Sequence, residues 1–289
     1  MAFAGYGFVF LAAFLWGLLG PVARFALADG VAPLEVAFWR AVFGAAFFLL
    51  HCAVARRGRI ARRDVPAFLA FGLVGVSVFF GSYQVAVKEG GAALASILLY
   101  TAPAWVALLA RLFLSEALSR AKLLALAMAM GGAACVSLGS GGGAGGVSVL
   151  GVVCGLVSGL TYALHYVFGK KYLGDYDAAT LYVWILPVGA LGLAPFVDFT
   201  PLAGLSAVSW GTFLFLGLFT TYGAYMAYLA GLRRLAATRV AVVANLEPVI
   251  AALMAWVWWG EYFSPMGYVG GALVLGAVFV MVFEAAPRS

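Results

Sequence analysis

Few residues in this chain could do chemistry, and two of them are charges in places where charge is expensive. Glu247 lies inside "VAVVANLEPVIAALMAWVWW", directly before the helix breaker Pro248, and Arg40 lies inside "LEVAFWRAVFGAAFF". A carboxylate in such a run has two uses: it holds a proton or a substrate ammonium, or it is a neutral or paired group serving the backbone freed near the proline. Arg40, close to one end of its run, either couples to function or snorkels and pairs structurally.

A third candidate is Ser158 with His165, on one face of a predicted helix. Seven helical residues separate two side chains by about 10 Å along the axis. A nucleophile and its base must meet within about 3 Å. "GLVSG" is no nucleophile motif either, so the chain is not expected to be an enzyme. Cys52, Cys135 and Cys154 form no CxxC pair, which leaves no metal site or disulfide framework, and no cofactor is expected. The glycine run "GSGGGAGG" contains a GxGxxG-like spacing, but no strand precedes it, so it reads as a linker.

The elements that hold these residues are set by composition. Of the 289 residues 65% are hydrophobic and 10% charged; a soluble domain carries about 25% charge, so a fold of this size could not be wetted. Ten apolar runs are predicted to be helices, at 5–26, 34–54, 66–87, 91–112, 120–139, 148–169, 178–197, 208–231, 237–259 and 266–284. Each is near the ~20 residues that a ~30 Å hydrocarbon core requires. The first is read as a retained span, because Arg24 is the first basic residue and no positive leader precedes the apolar stretch. The net charge of +6 does not point to nucleic acid, since the cations cluster between apolar runs. An N-terminus in the cytoplasm puts 14 of the 17 basic residues on the cytoplasmic side, including those of "ARRGRIARR". The expected location is the inner membrane, with both termini cytoplasmic.

Sliding the chain along itself by 145 positions lays "YTAPAWVALLARLFLSEALS" over "NLEPVIAALMAWVWWGEYFS". Pro103 falls on Pro248, Glu116 on Glu261, Tyr83 on Tyr228 and Gly72 on Gly217. Each half holds five predicted helices, an odd number, so the second half enters the membrane from the opposite side. The expected fold is all-α: ten transmembrane helices as two inverted five-helix repeats around a central cavity, with residues 1–139 and 148–289 joined by the linker 140–147. Such inverted repeats suit alternating access, with a site shared by both halves near the midplane.

Helical spacing then selects cavity residues. Ser96, Tyr100 and Pro103 share one side of the fourth helix, and Asn245 and Pro248 one side of the ninth. Phe79, Ser82, Tyr83, Tyr162, His165, Tyr222 and Trp16 are the other candidates for substrate contact, against ordinary helix packing for each singly. Aromatic walls would stack on a flat apolar side chain, and Asn245 with the hydroxyls could hold an amino acid's charged ends. Glu116 and Glu261 are expected to satisfy backbone donors opening the next helix.

"FLWGLLGPVARFALADGVAPLEVAFWRAVFGAAFFLL", together with the two proline-centred segments above, resembles the paired modules of the EamA type in the drug/metabolite transporter superfamily. Trp16-Gly17, Pro33, Arg40, Pro103 with Glu116, and Glu247-Pro248 with Glu261 carry the likeness, which is nearest to bacterial exporters of aromatic and other neutral amino acids. It implies efflux of a small molecule by a bilayer-embedded protein; the oligomeric state is left open by the sequence, whose Gly-rich helices suit packing within one chain, as a monomer, or between chains. The alternatives are an exporter of cationic or hydrophobic drugs, a nucleotide-sugar-type carrier, and a membrane receptor or scaffold without transport.

Overall fold

The computed structural model describes residues 2–139, 148–200, 204–260, 262 and 264–284. All regular elements among them are helical. Among the described residues, nine helices are long and apolar enough to cross a membrane, and a shorter apolar helix covers Ala102–Phe113. In chain order, α1 is Phe3–Ala28, interrupted at Leu18, and α2 is Pro33–Ala55. α3 runs over 65–90, and α4 has two parts, 92–99 and Ala102–Phe113. α5 is Arg120–Gly139, α6 Val149–Tyr172, α7 Ala178–Leu193 and α8 Ala207–Arg234. α9 is split into Ala237–Ala244 and Glu247–Trp259, and α10 is Pro265–Glu284. The expected linker 140–147 and Glu261 lie outside the described residues.

The expected break between the third and fourth helices is sharper than its sequence suggested. "KEGG" is the turn: helix runs from Val65 to Gly90, the chain reverses at the single residue Gly91, at φ 81° and ψ 161°, and helix resumes to Leu99. That region is essentially closed to side chains with a Cβ.

The inverted repeat is visible in how helices meet. α5 and α10 occupy equivalent positions in the two halves, and they pack antiparallel. Ser119 bonds Glu284, Met128 lies against Gly276, and Gly132 lies against Gly270, so numbers rise on one helix as they fall on the other. A Cβ on Gly132 would stand 2.7 Å from Gly270 O; small residues permit such close crossings where no hydrophobic force drives helices together. The pairing also repeats across the 145-residue shift. Gly44 of α2 abuts Thr221 of α8, and Gly189 of α7 abuts Val76 of α3. Gly217 abuts Phe43, and Gly72 abuts Val188. Each contact is the other's counterpart.

α3 and α8 each contain a π-helical stretch, Leu73–Val78 and Leu216–Gly223, at overlapping repeat positions. Such stretches turn side chains out of α-helical register and recur at functional sites.

At the end where the basic loops meet, side chains tie the helices together. Lys122 pairs with Glu116 at 2.8 Å and donates to Ala117 O. Glu116 also accepts the Thr238 N–H at 3.4 Å. Arg239 pairs with Glu284, and Lys170 donates to Leu232 O and Leu235 O. The donor expected to be met by Glu116 is met by Ser119, whose hydroxyl accepts the Lys122 N–H. Glu116 is a cross-helix clamp because Lys122 brings a full charge to it.

Candidate functional site

The site is built on two broken helices. α4 stops at Leu99 and restarts at Ala102; α9 stops at Ala244 and restarts at Glu247. The restarts are 145 residues apart, so the halves break at one shared position. Pro103 and Pro248 each take the second place of the new helix, where a missing N–H costs nothing. Both prolines are buried. The carbonyls released before them must meet protein or a wet space. Thr101 Oγ1 donates to Leu98 O at 2.6 Å. α6 and α1 cover the breaks with glycines: a Cβ on Gly159 would stand 2.7 Å from Leu98 O, and one on Gly17 3.1 Å from Glu247 O.

Around these breaks lies a layer of aromatic rings. Trp16 packs edge-on against Tyr162 at 6.3 Å and Tyr225 at 5.8 Å, and tilts onto Tyr228 at 5.4 Å. Tyr162 stacks on Phe79 at 5.4 Å. Tyr83 reaches Ser96 across the Gly91 bend, hydroxyl to hydroxyl, at 3.3 Å. Glu247 lies within electrostatic reach of Tyr83, Tyr100, Tyr162, Tyr166 and Tyr225. Trp16, Phe79, Tyr83, Ser96, Tyr100, Pro103, Tyr162, Asn245, Glu247 and Pro248 are thus drawn to one neighbourhood or to the breaks that border it.

Three sequence candidates have polar partners of their own, although the His165 ring also stacks on Tyr225 at 5.9 Å and packs on Phe79 at 6.1 Å within the layer. His165 is 2% exposed, and both its nitrogens are used. Nε2 lies 2.6 Å from Gly75 O, which can only accept, so Nε2 carries the proton and Nδ1 accepts from Tyr182 OH at 3.0 Å. The ring is a strut from α6 to the π-helical stretch of α3 and to α7. Ser82 donates to its own helix at Phe79 O. Tyr222 bonds His51 Nδ1 at 2.8 Å and lines a separate shallow groove of about 330 Å³ with Phe47, Leu50 and Val54. The Ser158 hydroxyl donates to Gly155 O, so no Ser–His pair is assembled.

The two charges are not joined. Arg40 and Glu247 interact electrostatically, yet the ion pairs within 4.0 Å among the described residues do not include them. The structural ion pair that Arg40 could have made is absent. Its guanidinium lies 4.4 Å over the Phe80 ring, and its Nε is buried without a hydrogen-bond partner. Asn245, 3% exposed, has an unpartnered Nδ2. Both charged residues are half-buried, while Leu246, Pro248, Val249 and Ile250 beside Glu247 are closed off.

Sequence reasoning passed over Phe80 and gave Tyr225 and Tyr228 little weight. A signal existed: these tyrosines stand 145 positions after Phe80 and Tyr83, so the two halves contribute rings from matching places. Tyr182 carried no such mark.

The profile of the EamA-like transporter family matches residues 3–138 and again 149–283. The chain belongs to the EamA-like transporter family. A relative in Archaeoglobus fulgidus, named an uncharacterized transporter, is 27% identical over 271 residues, covering 92% of this chain and 94% of the relative. A probable terminal-alkyne amino-acid exporter of Streptantibioticus cattleyicolor is 27% identical over 225 residues, covering 76% of this chain and 73% of its own. A solved crystal structure superposes with a TM-score of 0.85 at 19% identity, covering 99% of this chain and 98% of the other, and so shares the fold. This EamA-like transporter is a multi-pass membrane protein with a fully helical fold in two halves.

Proposed function

We propose that this EamA-like transporter exports small amphipathic metabolites, with aromatic and other neutral amino acids the preferred class. The halves 1–139 and 148–289, linked through 140–147, rock about the shared layer and open it to each side in turn. The protein sits in the inner membrane with both termini cytoplasmic, an orientation supported by the clustering of basic loops at one end. The observation that carries the reading is the aromatic layer at the two helix breaks, which also holds charge of both signs. Rings take an apolar side chain by stacking, and the charges take its polar ends. The exporter named for an amino acid in Streptantibioticus cattleyicolor supports the same substrate class.

A second reading is favoured by Glu247. A carboxylate amid tyrosines also suits an amphipathic cation, the chemistry of a drug exporter. A nucleotide-sugar carrier fits less well, because a diphosphate calls for several cations and Arg40 is the one basic side chain in this layer among the described residues.

Counterflow in proteoliposomes decides. Vesicles preloaded with unlabelled amino acids should accumulate labelled L-phenylalanine, L-tryptophan or L-leucine. Accumulation of a lipophilic amine instead would support the drug reading. Binding without flux of any solute would leave a receptor.

A further inference from the structure

The charged atoms of Arg40 and Glu247 stand more than 4.0 Å apart, so the two form no ion-pair contact, although each feels the other's charge. Inside a membrane protein this is a costly arrangement. A charge at that depth is retained where it meets a substrate or a partner, and a separated pair gains little of the contact energy that offsets desolvation. Packing, not a counter-ion, positions Arg40: the guanidinium lies over the Phe80 ring, 4.4 Å from its centre. The group is therefore placed in advance, with Nε unsatisfied. A second unsatisfied donor, Asn245 Nδ2, stands two residues before Glu247 at the same helix break.

We propose that Arg40 and Glu247 form a two-ended receptor for a zwitterion. Arg40, assisted by the Asn245 amide, takes the α-carboxylate, and Glu247 takes the α-ammonium. This rests on the amino-acid reading above and sharpens it. The planar fork of an arginine matches a carboxylate in two parallel bonds, and charge-assisted bonds are the strongest available to a small ligand. An α-amino acid carries its opposite charges on one carbon, so it bridges a gap wider than an ion pair and leaves its side chain free to enter the rings of Trp16, Phe79 and Tyr162. An amine or an acid alone leaves one protein charge unmet, which is how buried polar sites reject incomplete ligands.

The test is competition against labelled L-phenylalanine binding in detergent, with the methyl ester, the N-acetyl derivative, phenethylamine and 3-phenylpropionate. Each lacks one charged end. Each should compete about tenfold or more weakly than phenylalanine itself. The variants should split the losses: Glu247→Gln should erase the penalty for N-acetylation, and Arg40→Gln the penalty for esterification. Wild-type competition needs no variant to fold. End-blocked analogues competing as well as phenylalanine, while counterflow of the amino acid persists, would overturn the two-ended receptor alone. Failure of the wild type to carry any amino acid would overturn the substrate class with it.

Discussion

The breaks in α4 and α9 share a geometry and differ in chemistry. Each restarts one residue before a buried proline, and a glycine of a neighbouring helix covers each. At the first break Tyr100 and Ala102 occupy the places that Asn245 and Glu247 hold at the second. The first half contributes a ring and a methyl, the second an amide and a carboxylate. Duplication therefore supplied the shape of the site twice, and divergence put the negative charge on one side. An α-amino acid has no two-fold symmetry, so a site that reads both its ends must break the symmetry of the repeat that made it.

That comparison can be attacked directly. The largest effect is expected from Ala102→Glu, which puts a carboxylate at the position equivalent to Glu247. Ala102 is 2% exposed and borders a helix break already covered by α6. An unpaired buried charge there should cost several kcal/mol and greatly lower the yield of folded protein by size-exclusion in detergent. Glu247→Ala should fold normally. Equal yields would mean that the two breaks are chemically interchangeable.

Next come the π-helical stretches. The one in α3 is braced from outside, by His165 on Gly75 O and by Ser77 on Gly189 O. The one in α8 carries Thr220 at the Gly75 position, and its hydroxyl bonds its own helix at Leu216 O, 2.8 Å away. His165→Ala should cost about 2 kcal/mol or more, through two lost bonds and a cavity. Thr220→Val, which keeps the volume, should cost under about 1 kcal/mol. Thermal unfolding in detergent measures both; a larger shift for Thr220→Val would reverse the assignment. His165→Ala should leave the phenylalanine affinity of the folded fraction unchanged, since both ring nitrogens already have protein partners.

Gly44 and Gly189 test where the halves agree. An added Cβ would collide with Thr221 in one case and with Val76 in the other. Gly44→Ala and Gly189→Ala should each cost roughly 1–3 kcal/mol, and by similar amounts; a marked difference in unfolding temperature would show that the seams are not equivalent. The smallest effect belongs to Tyr83→Phe, which removes a single 3.3 Å bond to Ser96 across the Gly91 bend. About 0.6 kcal/mol is expected, and a change above the cost of His165→Ala would mean that the bend depends on that bond.

Much of this was legible in one dimension. Apolar run lengths, the shift of 145 residues, the two prolines and the charges at Arg40 and Glu247 are properties of local sequence, because backbone satisfaction in lipid forces helices and proline acts on its own turn. Membership of the aromatic layer was only partly legible. Trp16 and Tyr162 were found from their depth, but Tyr222 has the same composition around it and turns to His51 instead. Helical rotation distinguishes them, and the π-helical stretch that contains Tyr222 alters that rotation. Glu116 was misread for a related reason: its partner Lys122 is near in sequence, but Thr238, which completes the clamp, is 122 residues away.

The amino-acid sequence by itself determined that this chain crosses a membrane repeatedly, that its halves are copies threaded in opposite senses, and where two helices must break. These follow from hydrophobic length, loop charge and proline, each acting over a few residues. Only the tertiary structure decided that His165 is a strut, that Arg40 rests on Phe80 without a counter-ion, and that Glu247 stands apart from it. Those outcomes depend on which helix faces meet across the bundle, and that is set by glycine seams joining residues more than a hundred positions apart.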